Sequence, residues 1–323
     1  MFLVPKKKSI SQAFVLKVRV MGTLECKELT KVYQDHHKAL DNLTLTLETT
    51  GIFALIGRNG AGKTTLVRIL ATELEPTSGN ASINGMNILM QTDKLREKIA
   101  IVPQEARAIR WMTPKQTVKS YLLWRGYSYK DAKTLADESL EKMGLKNYAN
   151  VLNANLSGGT KRKVLIATVT ASEAEIIFLD EPTTGLDPIS RRELWEILRE
   201  LGKTRFIFLT THYLEEAEQL AEKIGILKGG KLLSIGTLSE LRGNSKYQYS
   251  VKLPPKTIVP NVKNATVTTS QTGITQIMTN EEEAFRLARL LSEQSVKFSI
   301  TPVSLDDIFF YVVGQKAEDS NEA

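Results

Sequence analysis

The sequence predicts an α/β fold: a core on a parallel sheet, a helical subdomain inserted into it, and a small α+β appendage at the C-terminal end. Three observations carry this. Short, almost wholly apolar runs end abruptly in polar residues, helix-like segments separate those runs, and after Gly243 the composition turns β-branched and polar. With 323 residues, 42% apolar and 24% charged, the chain has room for about two domains and the composition of a folded protein. No stretch approaches the ~18 uncharged apolar residues of a spanning helix, so the chain is not expected to cross a bilayer by itself.

Residues 1–20 hold Lys6, Lys7, Lys8, Lys17 and Arg19 and no acid, which is five of the seven net positive charges. They are expected to form a disordered basic extension. It reads either as an arm attracted to anionic lipid or as a segment upstream of a start at Met21, where the organised pattern begins. The remaining residues are nearly neutral, which argues against nucleic acid as a partner. The lone Cys26 excludes an internal disulfide framework and a Cys-rich zinc site, and it reads as a buried strand residue. His36 and His37 lack a third ligand near in sequence, so a solvated loop is expected there. With no secretory apolar segment, a cytoplasmic protein is expected.

The core follows. Run 51–56 leads into Gly57, 99–102 into Pro103-Gln104, 176–179 into Asp180-Glu181, and 206–209 into Thr210-Thr211-His212. Such runs, rich in Ile and Phe and without alternation, suit strands buried on both faces of a parallel sheet. Helices are expected over 64–73, 191–201 and 214–223, and strands alternating with helices imply βαβ units. In such sheets ligands bind at the carboxyl ends of the strands, so the polar residues there are expected to share one crevice. Between Gln104 and Ala154, segments 115–123 and 129–143 read as helices, within a helical subdomain of about 105–165. The core should end near 243. The appendage, 244–315, reads as strands at 247–253, 265–279 and 297–301 with helices at 281–294 and 305–313, and a disordered tail over 316–323. Asp306 and Asp307 suit a helix N-terminus rather than a metal.

Gly57-Arg58-Asn59-Gly60-Ala61-Gly62-Lys63-Thr64 fits the phosphate loop G-x-x-x-x-G-K-[ST] and marks a P-loop NTPase core. Its glycines let successive N–H groups form an anion nest, and the helix that follows adds its dipole. Lys63 would reach the β- and γ-phosphates and the Thr64 hydroxyl would ligate Mg²⁺. Asp180 suits direct or indirect Mg²⁺ binding, and Glu181 suits polarising an attacking water. Leu156-Ser157-Gly158-Gly159-Thr160 makes a second helix start prepared for an anion. One nucleotide needs a single cradle, so the second serves another nucleotide or the same kind on another copy.

Taken in order, Tyr33, GRNGAGKTT (57–65), Gln104, LSGGT (156–160), IIFLDE (176–181), TGLD (184–187) and His212 resemble the ATP-binding cassette family over about 24–242. The resemblance implies a head-to-tail dimer, with itself or with a related cassette, that sandwiches two ATPs with Mg²⁺. Gly57, Asn59, Gly60, Ala61, Gly62, Lys63, Thr64 and Thr65 of one subunit would then hold the phosphates. Ser157, Gly158 and Gly159 of the other would complete the site. It implies Tyr33 stacking on adenine, at ~1–3 kcal/mol for a base on an aromatic ring. Glu181, His212, Gln104 and Lys63 are the implied catalytic set, Thr64, Gln104 and Asp180 the metal set, and Asp187 an interface residue. Arg58 and Thr160 depart from the commonest residues without removing a catalytic group.

By the same resemblance the helical subdomain docks on a membrane partner. Trp111, Met112 and Trp124 are candidates for that surface, with packing inside the subdomain as the other reading. The stretch 304–314 and the Gly-Leu-Asp-Pro at 185–188 are similar to cassettes of drug- and polymer-exporter systems. The expectation is an exporter's ATPase subunit, peripheral on the cytoplasmic face of the membrane, with a separate integral permease. The alternative is a soluble cassette ATPase acting on ribosome or DNA. Such relatives carry a second cassette with a charged linker, long coiled coils or zinc modules, and none is visible here. Intact Glu181 and His212 argue against a non-catalytic module.

Overall fold

The computed structural model describes residues 22–243, 247–270 and 272–318. The expected basic extension, Met21 and residues 319–323 of the expected tail lie outside them. The chain divides into two compact units, Met1–Leu233 and Ser234–Ala323. That division falls before the expected boundary at 243 because the short helix ending at Gly243 packs on the last helix of the second unit.

The first unit opens with β1 (Thr23–Val32) and β2 (Lys38–Glu48), an antiparallel pair. In β2 the buried Leu43, Leu45 and Leu47 alternate with exposed Asn42, Thr44, Thr46 and Glu48, the mark of a sheet with one wet face. Then come β3 (Ile52–Ile56), α1 (Lys63–Leu70), β4 (Ser78–Ile83), β5 (Met86–Asn87), α2 (Thr92–Lys98) and β6 (Ile99–Val102). Helices α3 (Pro114–Trp124), α4 (Tyr129–Lys142) and α5 (Gly158–Ala171) pack on one another. The chain continues through β7 (Ile176–Asp180), α6 (Pro188–Gly202), β8 (Phe206–Thr211), α7 (Leu214–Leu220), β9 (Lys223–Lys228) and β10 (Lys231–Gly236), the strand within which the first unit ends.

Two sheets result. One is β2-β1-β4-β5; the other is β10-β9-β3-β8-β7-β6, with β6, β7, β8, β3 and β9 parallel. The four apolar runs are therefore the strands of a single parallel sheet, and every residue of β3, β7 and β8 is buried. The fully buried Phe208 meets Phe53 at 4.9 Å and Phe178 at 5.7 Å between ring centroids. The expected helix over 214–223 stops at Leu220, since Glu222 N–H donates to Ile52 O (2.8 Å) and draws Lys223 into β9. The helix over 64–73 likewise closes at Leu70, because Thr72 turns to φ +63°.

In the helical part, Thr113 and Gln116 form a reciprocal cap on α3, with Pro114 in its first turn. Trp111 and Trp124 stand 78% and 74% exposed, so Trp124 does not pack this subdomain's core, while Met112 is half-buried. Cys26 is buried in β1, and burial pushes its thiol up to about 12. No helix among the described residues is long and apolar enough to cross a membrane.

The second unit contains α8 (Leu238–Gly243), β11 (Tyr249–Leu253), β12 (Thr266–Thr269), β13 (Thr275–Thr279), α9 (Glu281–Glu293), β14 (Ser299–Pro302) and α10 (Leu305–Glu318). Its antiparallel sheet β12-β13-β11-β14 shares a core with α9 through Val251, Leu253, Ile277, Ala284, Leu287 and Leu291. Glu281, Glu282 and Glu283 stand in the first turn of α9, and the Arg286 guanidinium beside Glu283 lowers its carboxyl to about 2. Asp307 accepts from Ser304 N–H (2.8 Å) while Ser304 Oγ accepts from Asp307 N–H (3.2 Å), the helix start expected for these acids. Helix α10 runs on to Glu318, into the stretch expected to be a disordered tail.

Replacing Phe208 with Ala removes a ring that both neighbouring strands contact. Urea unfolding should show a loss of ~3–5 kcal/mol with an unchanged denaturant slope.

Candidate functional site

Polar residues that follow β3, β6 and β7 line one cleft, and His212, after β8, is bonded to one of them. At the end of β3 the chain turns through 57–62 into α1. Gly62, at φ +106°, places its Cα where an added Cβ would stand 2.3 Å from Ala39 O. At Gly57 a Cβ would meet Leu227 O at 2.6 Å. Only glycine fits either place, so the loop's tightness comes from its sequence. Lys63, the first residue of α1, is buried, and its Nζ donates to Gly57 O (2.8 Å) and Arg58 O (3.3 Å). The neighbouring Thr64 is exposed at the helix start.

Strand β7 delivers the acids. Asp180 is buried and accepts from the Thr210 hydroxyl on β8. Glu181, also buried, sits at φ +47°, a left-handed angle that costs a non-glycine residue roughly 1–3 kcal/mol. Its N–H is held by Thr210 O and Oγ1, both at 3.1 Å. Its Oε2 accepts from Gln104 Nε2 (3.2 Å), the Thr184 hydroxyl (3.1 Å) and His212 Nδ1 (3.0 Å). Its Oε1 lies 3.5 Å from Lys63 Nζ. A carboxylate only accepts, so His212 carries its proton on Nδ1 here.

Lys63, Gln104 and Glu181 thus share the wall of a cleft of about 200 Å³ that Asn59, Gly60, Ala61, Gly62, Thr64 and Thr65 also line. Tyr33 closes it from the β1–β2 side, with its hydroxyl 3.2 Å from Thr65 Oγ1. The oxygen donors beside it, the Thr64 hydroxyl and the Gln104 amide, are the hard ligands that suit Mg²⁺. Asp180, expected in the metal set, does not line the cleft and is tied to Thr210.

Ser157, Gly158, Gly159 and Asp187 do not line this cleft. Ser157 caps α5, accepting from Thr160 N–H at 3.1 Å, and both Ser157 and Gly158 face outward. Gly159 is buried so closely that a Cβ would stand 2.7 Å from Ser190 Oγ. Asp187 caps α6 through Ile189 and Ser190 N–H, each 3.0 Å; the Ser190 hydroxyl bond leads in holding its carboxyl below the usual range.

Two residues were not among the sequence candidates. His37, expected in a solvated loop, is exposed but lines the cleft, its ring 6.5 Å from Tyr33 and nearly parallel to it. Only the β1–β2 turn, in which Tyr33 N–H donates to His37 O (2.9 Å), reveals this. Arg162 on α5 is buried, and burial lowers its guanidinium to about 10. It donates to Pro182 O (2.8 Å), Asp180 O (3.1 Å) and Glu181 O (3.1 Å).

Residues 40–184 match the family model described as ABC transporter. The daunorubicin/doxorubicin resistance ATP-binding protein DrrA of Streptomyces peucetius is 30% identical over 312 residues, 92% of this chain and 94% of that protein. The solved cbiO1 of Clostridium perfringens, part of the ABC transporter complex cbiONQ, is similar with TM-score 0.62 and 27% identity, over 68% of this chain and 90% of that one. A dimeric ATP-binding cassette in a post-hydrolysis state, bound to ADP and Pi, is similar with TM-score 0.61 and 27% identity, over 67% of this chain and 98% of that one. The chain therefore belongs to the ABC transporter family, as one of its ATP-binding, ATP-hydrolysing cassettes.

Proposed function

We propose that this cassette works as a head-to-tail dimer, with itself or with a related cassette, and drives a separate integral membrane permease from the cytoplasmic face. The observation that carries the reading is the split of the anion-ready elements. Lys63, Gln104 and Glu181 line one cleft, with His212 bonded to Glu181 at 3.0 Å, whereas the outward-facing Ser157 helix start does not line it. A second copy turned end to end would supply that start to the cleft. The dimeric relative with ADP and Pi supports the arrangement. The membership of cbiO1 in a transporter complex supports a membrane partner, and the drug-resistance role in the name of DrrA supports export.

The roles follow from position. The amides of 57–62 and Lys63 would bind the triphosphate, Tyr33 and His37 would face the adenine, and Glu181 would accept a proton from the attacking water as its oxygen bonds to the γ-phosphorus and ADP leaves. His212, oriented by Glu181 through Nδ1, would donate Nε2–H to a γ-phosphate oxygen in its doubly protonated form, since a carboxylate on one side and a phosphate on the other both only accept. Thr64 and Gln104 would hold Mg²⁺, which when bound neutralises charge between the β- and γ-phosphates. Exposed Trp111 and Trp124 suit the surface that meets the permease.

Glu181→Gln should lower phosphate release ~10²–10⁴-fold, as loss of a general base does, while ATP binding persists and light scattering reports a trapped dimer. Wild-type release from this variant would refute the role. Ser157→Ala should cut turnover yet leave ATP affinity of the isolated monomer unchanged; an equal loss of monomer affinity would assign Ser157 to its own subunit's nucleotide.

A further inference from the structure

The buried Arg162 has no part in the roles above, and its surroundings are unusual for a cation. Its three hydrogen bonds all go to backbone carbonyls, those of the consecutive residues Asp180, Glu181 and Pro182. Among the described residues no carboxylate oxygen lies within ion-pairing distance of its guanidinium, so its direct partners are carbonyl dipoles, with the charges of Asp180, Glu216 and Glu181 acting from farther away. Those carbonyls belong to the turn in which Glu181 holds its left-handed angle. A guanidinium suits this task because its donors form a rigid planar fork that can reach several acceptors at once. The start of the same helix, the end nearer Arg162, is the Ser157 cap. Arg162 lies five residues after the Ser157 cap on α5, a rigid span of about 7.5 Å.

We propose that Arg162 is a positioning residue for ATP hydrolysis, fixing the Glu181 turn from behind and tying it to the Ser157 helix start of the same subunit. The claim rests on the reading of Glu181 as the base. Through this tie, a shift of α5 when its start engages a nucleotide across the dimer reaches the base of the cleft in its own subunit. Thr210 holds the Glu181 N–H and Arg162 holds its C=O, so the backbone around the base is fixed from both sides.

A double-mutant cycle on the full chain tests this, with single-turnover hydrolysis of labelled ATP as the readout. Arg162→Gln should lower kcat on the order of 10–100-fold, as displacement of a catalytic group by about 1 Å does, with KM and equilibrium ATP binding changed by less than about twofold. Added to Glu181→Gln, it should change the residual rate by less than about twofold, because its effect passes through a carboxylate already removed. An unchanged kcat, or the same fold loss in both backgrounds, would overturn the proposal. If Arg162→Gln fails to fold by circular dichroism, Arg162→Lys carries the same cycle. Its ammonium cannot span the three carbonyls, so a smaller loss with the same non-additivity is expected, and additivity would again overturn the claim. Full activity in Glu181→Gln alone would instead remove the base, a failure seen before the cycle is read.

Discussion

Glu181 is kept at a backbone angle that its own side chain disfavours, and the chemistry-bearing residues are arranged around that fact. Parallel pairing makes it workable. Val102 stands beside Leu179, Asp180 beside Thr210, and Ile56 beside Thr211, so β6, β7, β8 and β3 finish at one level. The next residues along each chain then fall in a row: Gln104, Glu181, His212 and the glycine loop. A slip in any pair would carry one of them out of reach of the carboxylate, because hydrogen-bond distances leave little slack.

This concentration of polar groups has a cost that the apolar layers offset. Lys63, Asp180, Glu181 and Arg162 are all buried within one neighbourhood, where unpaired charge would be strongly unfavourable. Each is met by a definite partner: loop carbonyls for Lys63, a hydroxyl for Asp180, three donors for Glu181 and three carbonyls for Arg162. On the same strands the buried Phe53, Phe178 and Phe208 bring their rings into contact across β3, β8 and β7.

The parallel strands were legible because burial on both faces leaves an unbroken apolar run, and the glycine loop because few residues tolerate its turns. The antiparallel sheet was equally present in the alternation of Leu43, Leu45 and Leu47, but that pattern of two was not read as a strand. His37 was invisible for another reason: its place beside Tyr33 depends on a hairpin that no local motif announces. Arg162 was missed because an arginine in a helix after Ser157 reads as surface, and only the fold brings it behind β7. The role of a residue that contacts backbone carbonyls leaves no trace in the spacing of side chains.

The state of Cys26 has a practical meaning. The one cysteine of the chain is sealed in β1, and burial pushes its thiol up to about 12, away from the reactive thiolate. The natural sequence thus serves as a cysteine-free background for maleimide chemistry. A fluorophore or spin label attached through one introduced surface cysteine would report a single position without first stripping the native one.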